Sequence, residues 1–171
     1  MNINIFEANP IDAKLIQEIN SKTWLHTYKN EELWINDELL KRNPTSDNNK
    51  KIYLKRKGEE IKQNPGSYFI VKDWEKVIWY ASWKIHKNKS YNELFAIYIL
   101  PEYHKKWIWK KLAQNVFNYL WDKKDIIVTV IWYNNNAILF YENLWFIFSK
   151  KIDDFEIVNW IFVSEIQMIK K

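Results

Sequence analysis

The sequence predicts a single α/β domain, and three observations carry that expectation. Apolar residues recur at helical spacing through much of the first third of the chain. The middle changes period: "SYFIVKD", "EKVIWYASWKIH" and "YNELFAIYIL" are dense in β-branched and aromatic residues. The last third mixes both periods. A chain of 171 residues with 47% hydrophobic and 27% charged side chains suits one globular core.

In order, Ile3 and Ile5 alternate with polar residues as a first strand. Pro10 and Asp12 then open an amphipathic helix carrying Leu15, Ile16 and Ile19 on one face. A second helix is expected from about Glu31 through Leu40. After the polar break "RNPTSDNN" a third runs from Lys50 to Lys62, ended by "NPG". The three central runs read as a meander joined by "DWEK" and "KNKS". In "DWEK", Asp-Gly would be the usual hairpin signal, and Trp74 is a poor turn former. From Lys106 to about Lys123, Ile108, Leu112, Val116 and Leu120 return at helical spacing. The strand "DIIVTVI" and a helix from Asn135 to Leu144 follow. The end, "WFIFSKKIDDFEIVNWIFVSEIQMIKK", offers two alternating strands with a break near Asn159.

Composition narrows the chemistry. With Cys 0, thiolate metal sites and a cysteine nucleophile are excluded. The three histidines, His26, His86 and His104, lack metal-binding spacing, so no metal is expected. No run of about 18 uncharged apolar residues and no secretory leader is visible, so no membrane contact and a cytoplasmic location are expected. The net charge of +5 is almost wholly lysine, with Arg42 and Arg56 the only arginines. An AT-rich genome explains that as well as an anionic partner does. The anomaly is Trp 11 against Gly 2, where glycine is ordinarily about 7% of residues.

The element order, with "AIYILPEYHKKWIWKKLA", "NNNAILFYENLWF" and "TWLHTYKN", resembles the GNAT acyl-CoA N-acyltransferase family over essentially the whole chain. In that family the fourth strand ends near a proline. Gln or Arg, two residues, Gly, one residue, then Gly or Ala follow and open a helix. The first stretch matches if Trp107 and Trp109 stand for glycine. In the second, Asn, two residues, Ala and Phe-Tyr lead to a Gly-Phe, with Trp145 in the glycine place. The third resembles the family's small-molecule branch, where a true tryptophan precedes Thr-Tyr, so Trp24 fits as written. The resemblance implies a mixed, mostly antiparallel sheet of six to seven strands flanked by about four helices, with acetyl-CoA as acyl donor.

Tryptophan at several glycine positions is not conservative drift, because the two residues are opposites in volume and backbone freedom. A decoding cause fits: UGA, translated here as tryptophan, would encode glycine in the source organism. Reading Trp34, Trp74, Trp79, Trp107, Trp109, Trp121, Trp132, Trp145 and Trp160 as glycine simply exchanges the two counts. Trp83 accepts either residue and stays Trp. If all are literal, an aromatic-rich binder of single-stranded nucleic acid or sugars is the competing class.

The resemblance also implies site residues. His104, Lys105, Lys106, Trp107, Ile108, Trp109 and Lys110 would form the pyrophosphate cradle, where backbone N–H groups at a helix start bind an anion and bulky side chains obstruct it. His104 departs from the family's Gln or Arg. Ile97, Tyr98 and Ile99 would pair with the pantetheine arm, with the Ile99 N–H as oxyanion donor. Asn134 and Ala137 would contact the cofactor, with Asn135 and Asn136 capping the helix. Glu93 is the candidate base; Glu31, Glu32 or a water chain are alternatives. Tyr141 would protonate the departing thiolate, a phenol having a pKa near 10.

For the acceptor, Tyr28, Glu31 and Glu32, with Asp153, Asp154 and Glu156, could attract a cationic small-molecule amine such as a polyamine or aminoglycoside. Solvated charge explains the acids equally. A protein N-terminus or lysine is the competing acceptor, and a non-catalytic acetyl-CoA sensor the competing role. No nucleic acid is expected, and a homodimer is left open.

Overall fold

The computed structural model describes residues 3–41, 50–103, 113–114, 116–117, 124–158 and 160–171. The central runs form strands because their alternating β-branched and aromatic side chains fill both faces of one sheet. They are β2 (Tyr68–Asp73), β3 (Lys76–Lys84) and β4 (Tyr91–Ile99), the expected meander. β1 (Ile3–Glu7) lies beside β2, and β5 (Asp125–Ile131) beside β4. β6 (Ile147–Val158) and β7 (Ile161–Lys170) complete the far edge. The order is β1-β2-β3-β4-β5-β7-β6. Every pairing is antiparallel except β4 with β5. The sheet is thus mixed and mostly antiparallel, as the family resemblance implied.

Helices cover both faces. α1 (Ala13–Tyr28) and α3 (Lys50–Gln63) lie on one, burying Ile16, Ile19 and Ile61 against Ile70, Val77 and Tyr80. α4 (Asn135–Glu142) lies on the other, where Tyr141, Leu144 and Phe146 meet Val116, Phe117, Val128 and Met168. Residues 113–114 and 116–117 are helical, within the helix expected from Lys106. Each fully buried aliphatic or phenyl side chain contributes about 1.5–3 kcal/mol. Trp79 sits at the centre of this core with its indole Nε1 unpartnered among the described residues. That omission offsets part of its burial, by about 1–3 kcal/mol.

The helix expected over Glu31–Leu40 is a correction. Only α2 (Asp37–Leu40) forms, and residues 31–34 make a turn closed by a backbone bridge between Asn30 and Ile35. Two asparagines explain the difference. Asn30 Oδ1 accepts the Leu33 N–H at 3.1 Å and Asn36 Oδ1 accepts the Leu39 N–H at 2.9 Å, side-chain bonds that compete with a continuous helix. Trp34, at φ 58°, is outside helical space altogether.

Trp34 is not isolated. Among the described residues, five other than glycine have positive φ: Asp154, and four tryptophans, Trp34, Trp74, Trp145 and Trp160. All four are exposed, so no buried packing compensates for the conformation. Trp145 ends α4. The Phe146 N–H bonds to the Tyr141 carbonyl at 3.0 Å and the Trp145 N–H to the Glu142 carbonyl at 2.9 Å. This is the Schellman pattern, whose left-handed residue is usually glycine. Its accompanying apolar contact is present too, the rings of Tyr141 and Phe146 lying 5.3 Å apart.

Candidate active site

The site begins with one extra residue in β4. Ser82 pairs with Ala96 and Trp83 with Leu94, so Phe95 is a bulge. The bulge exchanges the faces of the strand. Leu94 joins the core beneath α4, whereas beyond it Ala96 and Tyr98 turn toward α1, and Ile97 and Ile99 toward α4. Pairing with β5 stops at the same point, the last parallel pair being Leu94 with Val128. Past that pair the two strands separate. The gap is a cavity of about 560 Å³ lined by Phe95–Ile99 of β4, Val128–Ile131 of β5, and residues of α1, α4 and β7.

One wall belongs to the α4 side. It carries Ile97, Ile99, Asn134, Ala137, Phe140 and Tyr141. Tyr141 is held by edge-on packing against Phe140 and Phe146 at 5.0 and 5.3 Å. Burial pushes its pKa well up, with the nearby Tyr98 adding to the effect. Among the described residues its hydroxyl has no hydrogen-bond partner. Asn134 is the N-cap of α4, its Oδ1 accepting the Ala137 N–H at 3.1 Å. The expectation that Asn135 and Asn136 do the capping is therefore corrected: they are the first residues of the helix itself.

The opposite wall belongs to the α1 side, with Thr23, Thr27, Tyr28, Tyr98 and Glu165. Tyr28 is fixed from three directions. Its ring stacks on Trp24 at 4.0 Å and faces Phe155 at 6.3 Å, and its carbonyl accepts the Tyr133 hydroxyl at 2.9 Å. Burial raises the pKa of Tyr28 strongly, with Tyr98 and Glu165 adding to it. Burial also raises that of Tyr98. Glu165, on β7 opposite Ile131 of β5 and Ile152 of β6, has its carboxyl pKa raised by burial.

The residues named from sequence therefore divide. Ile97, Tyr98, Ile99, Asn134, Ala137, Tyr141 and Tyr28 all line the gap. His104, Lys105, Lys106, Trp107, Ile108, Trp109 and Lys110 lie outside the described residues. Glu93 does not line the gap: it precedes the bulge, where β4 is paired on both sides, and its Oε2 is 2.7 Å from His86 Nε2. Glu31 and Glu32 are exposed in the turn after α1, with Glu31 3.7 Å from Lys29. Asp153 bonds Lys151 and Ser164, each at 2.7 Å, away from the cavity. Glu165 was missed because a single acid in an alternating strand carries no spacing signal.

No described helix is long and apolar enough to cross a membrane. Among the described residues, no group of three or more His, Asp or Glu could hold a metal. The cavity falls within the usual 300–1,000 Å³ of ligand sites. Its two walls flank the edges of β4 and β5 where the strands part.

Residues 15–146 match the Acetyltransferase (GNAT) family. No curated protein matches the sequence. Among solved structures, the chain is similar to the PaiA N-acetyltransferase of Thermoplasma acidophilum in complex with coenzyme A. The identity is 22% and the TM-score 0.71, over 100% of this chain and 99% of that one. It is also similar to a variant SpeG spermidine N-acetyltransferase of Vibrio cholerae, at 15% identity and TM-score 0.71 over 98% and 92% of the two chains. The ribosomal-protein-S18-alanine N-acetyltransferase of Escherichia coli aligns at 14% identity and TM-score 0.66, again over 98% and 92%. At such identities the structural likeness is one of fold.

Proposed function

The chain belongs to the acetyltransferase (GNAT) family, and we propose that it acetylates a small cationic primary amine, a polyamine or aminoglycoside, in the gap between β4 and β5. It is an acetyl-CoA-dependent N-acetyltransferase acting on amines. The observation carrying the finer reading is the two-walled gap. Among the described residues, a phenol without a hydrogen-bond partner stands on the α4 wall, and tyrosines with one carboxylate stand on the α1 wall.

Acetyl-CoA supplies the acetyl group as an activated thioester. The main chain of Ile97, Tyr98 and Ile99 runs along the gap and orients the extended arm, and the Ile99 N–H donates to the carbonyl oxygen as negative charge develops there. Tyr141 gives its proton to the departing thiolate. Its raised pKa keeps the phenol protonated until that moment. Asn134 sets the start of α4 through its cap, and thereby the position of Ala137 and Tyr141.

Support for a small amine comes from the tyrosines and carboxylate of the α1 wall and from the similarity to a spermidine N-acetyltransferase. The similar ribosomal-protein enzyme makes a peptide N-terminus the comparison to include. Release of free thiol from acetyl-CoA would be followed with spermidine, kanamycin and a peptide bearing an N-terminal alanine. Faster turnover with either small amine supports the reading, and turnover with the peptide alone contradicts it.

A further inference from the structure

From the placement of Glu165, and resting on the proposed amine acetylation, we infer that this carboxylate receives the acceptor's ammonium group and takes up its proton. Glu165 is the only carboxylate among the described residues lining the gap. Its strand neighbours are apolar, Ile131 on one side and Ile152 on the other. Tyr28 and Tyr98 line the same gap. No described cation pairs with it, whereas Glu93 has His86, Glu60 has Lys57, Glu102 has Lys76 and Asp153 has Lys151. A half-buried carboxylate flanked by isoleucines, without a counter-charge among the described residues, carries a desolvation cost that an alkylammonium ligand reduces. The rings of Tyr28 and Tyr98 offer the apolar, π-faced surface that suits the carbon chain beside such a cation.

The ammonium gives one proton to Glu165. The freed nitrogen lone pair then forms the C–N bond and the C–S bond breaks, the sulfur keeping the electron pair and taking a proton from Tyr141. The second nitrogen proton is released as the amide forms and restores the Tyr141 phenol, while the proton on Glu165 passes to solvent. Bonds and charges balance without another reactant.

Glu165→Gln and Glu165→Asp would be compared with the parent, all three carrying glycine at positions 34, 74, 79, 107, 109, 121, 132, 145 and 160, for spermidine and for n-butylamine, beside acetyl-CoA affinity and melting temperature. The expected result is a loss of at least about tenfold in kcat/KM for both amines in Glu165→Gln. Partial recovery in Glu165→Asp is expected, with acetyl-CoA affinity unchanged and no loss of melting temperature in either variant. Parent-like amine kinetics in Glu165→Gln would overturn the inference while leaving acetyl transfer standing. A parent inactive with every amine would overturn acetyl transfer and this inference together.

Backbone angles carry a second, independent inference: the structure assigns glycine to positions 34, 74, 145 and 160 in the protein its own cell makes. Each holds a tryptophan at φ between 55° and 69°. L side chains with bulk at Cβ pay for that region, and glycine does not. The local geometry calls for glycine at each turn. Trp74 is the first of two residues joining the paired Asp73 and Lys76, the glycine place of a type II′ hairpin. Trp160 follows Asn159 between the paired Val158 and Ile161, where Asn-Gly is the strongest hairpin signal. Trp145 holds the Schellman position. By contrast Trp24 and Trp83 have no positive φ and stack on Tyr28 and Phe69 at 4.0 and 5.0 Å.

Codon reading together with peptide mass spectrometry of the protein from its source cells tests this. UGA codons and glycine masses at the four positions, with UGG and tryptophan at Trp24, are the expected result. A tryptophan mass at any of the four overturns the assignment there.

Discussion

β4 has a closed half and an open half, and the same strand chemistry serves opposite purposes in them. From Tyr91 to Leu94 it is paired with β5, and at Glu93 and Leu94 with β3 as well, and its acid, Glu93, is spoken for by His86. From Ala96 to Ile99 it remains paired with β3 but has left β5, and the acid lining this half is Glu165, from another strand, without a counter-charge among the described residues. One bulged residue separates the two regimes. A carboxylate's role in this sheet is decided by which side of Phe95 it faces.

The comparison breaks first at Tyr141. Tyr141→Phe keeps the packing with Phe146 but removes the proton donor, so kcat should fall by about 10²–10⁴ while the melting temperature is nearly unchanged; stopped-assay rates and a thermal melt read both. A fall in melting temperature of more than a few degrees would instead make Tyr141 a packing residue.

Glu93 sharpens the contrast from the closed side. Glu93→Gln should leave the rate within about threefold, because its partner is His86 rather than the gap, and should cost about 1 kcal/mol of stability. For a chain of this size that is a drop of about 2–4 °C. A large rate loss with normal stability would return the base to Glu93.

Trp145→Gly should gain about 1–2 kcal/mol by relieving a left-handed conformation, with a rise of several degrees in a thermal melt. Because the Trp145 turn also fixes Tyr141 through Phe146, the rate should hold or improve.

The smallest effect concerns pH. Burial raises the Glu165 pKa, so its charged form destabilises the folded chain, and that penalty is present above the folded pKa and absent below the unfolded value of 4.5. Glu165→Gln should therefore melt slightly higher at pH 8, with the difference vanishing below about pH 4. A gain equally large at acid pH would point to packing rather than charge.

Much of this architecture was legible because strand-forming residues are dense and alternate where the meander lies. Tyr141 was legible through the "FY" that precedes the helix end, and Tyr28 through the tryptophan-led "TWLHTY". Other features were not. The Phe95 bulge leaves no glycine or proline in "YNELFAIYIL", so nothing marks where the faces exchange. Without that bulge, Glu93 and the lining residues would share one continuous strand. The helix expected from Glu31 failed because side-chain bonds from Asn30 and Asn36 compete locally with helical ones. Glu165 acquires its meaning only when β7 is placed beside β5, a long-range pairing that spacing along the chain does not encode.

The most direct test of amine acetylation in the open half is the rate of thiol release from acetyl-CoA as spermidine is titrated. It would be measured on the chain as written and on the form with glycine at positions 34, 74, 79, 107, 109, 121, 132, 145 and 160. Saturable, amine-dependent release in the glycine form, abolished by Tyr141→Phe, is the predicted result. Release that ignores the amine, or survives Tyr141→Phe unchanged, would contradict it.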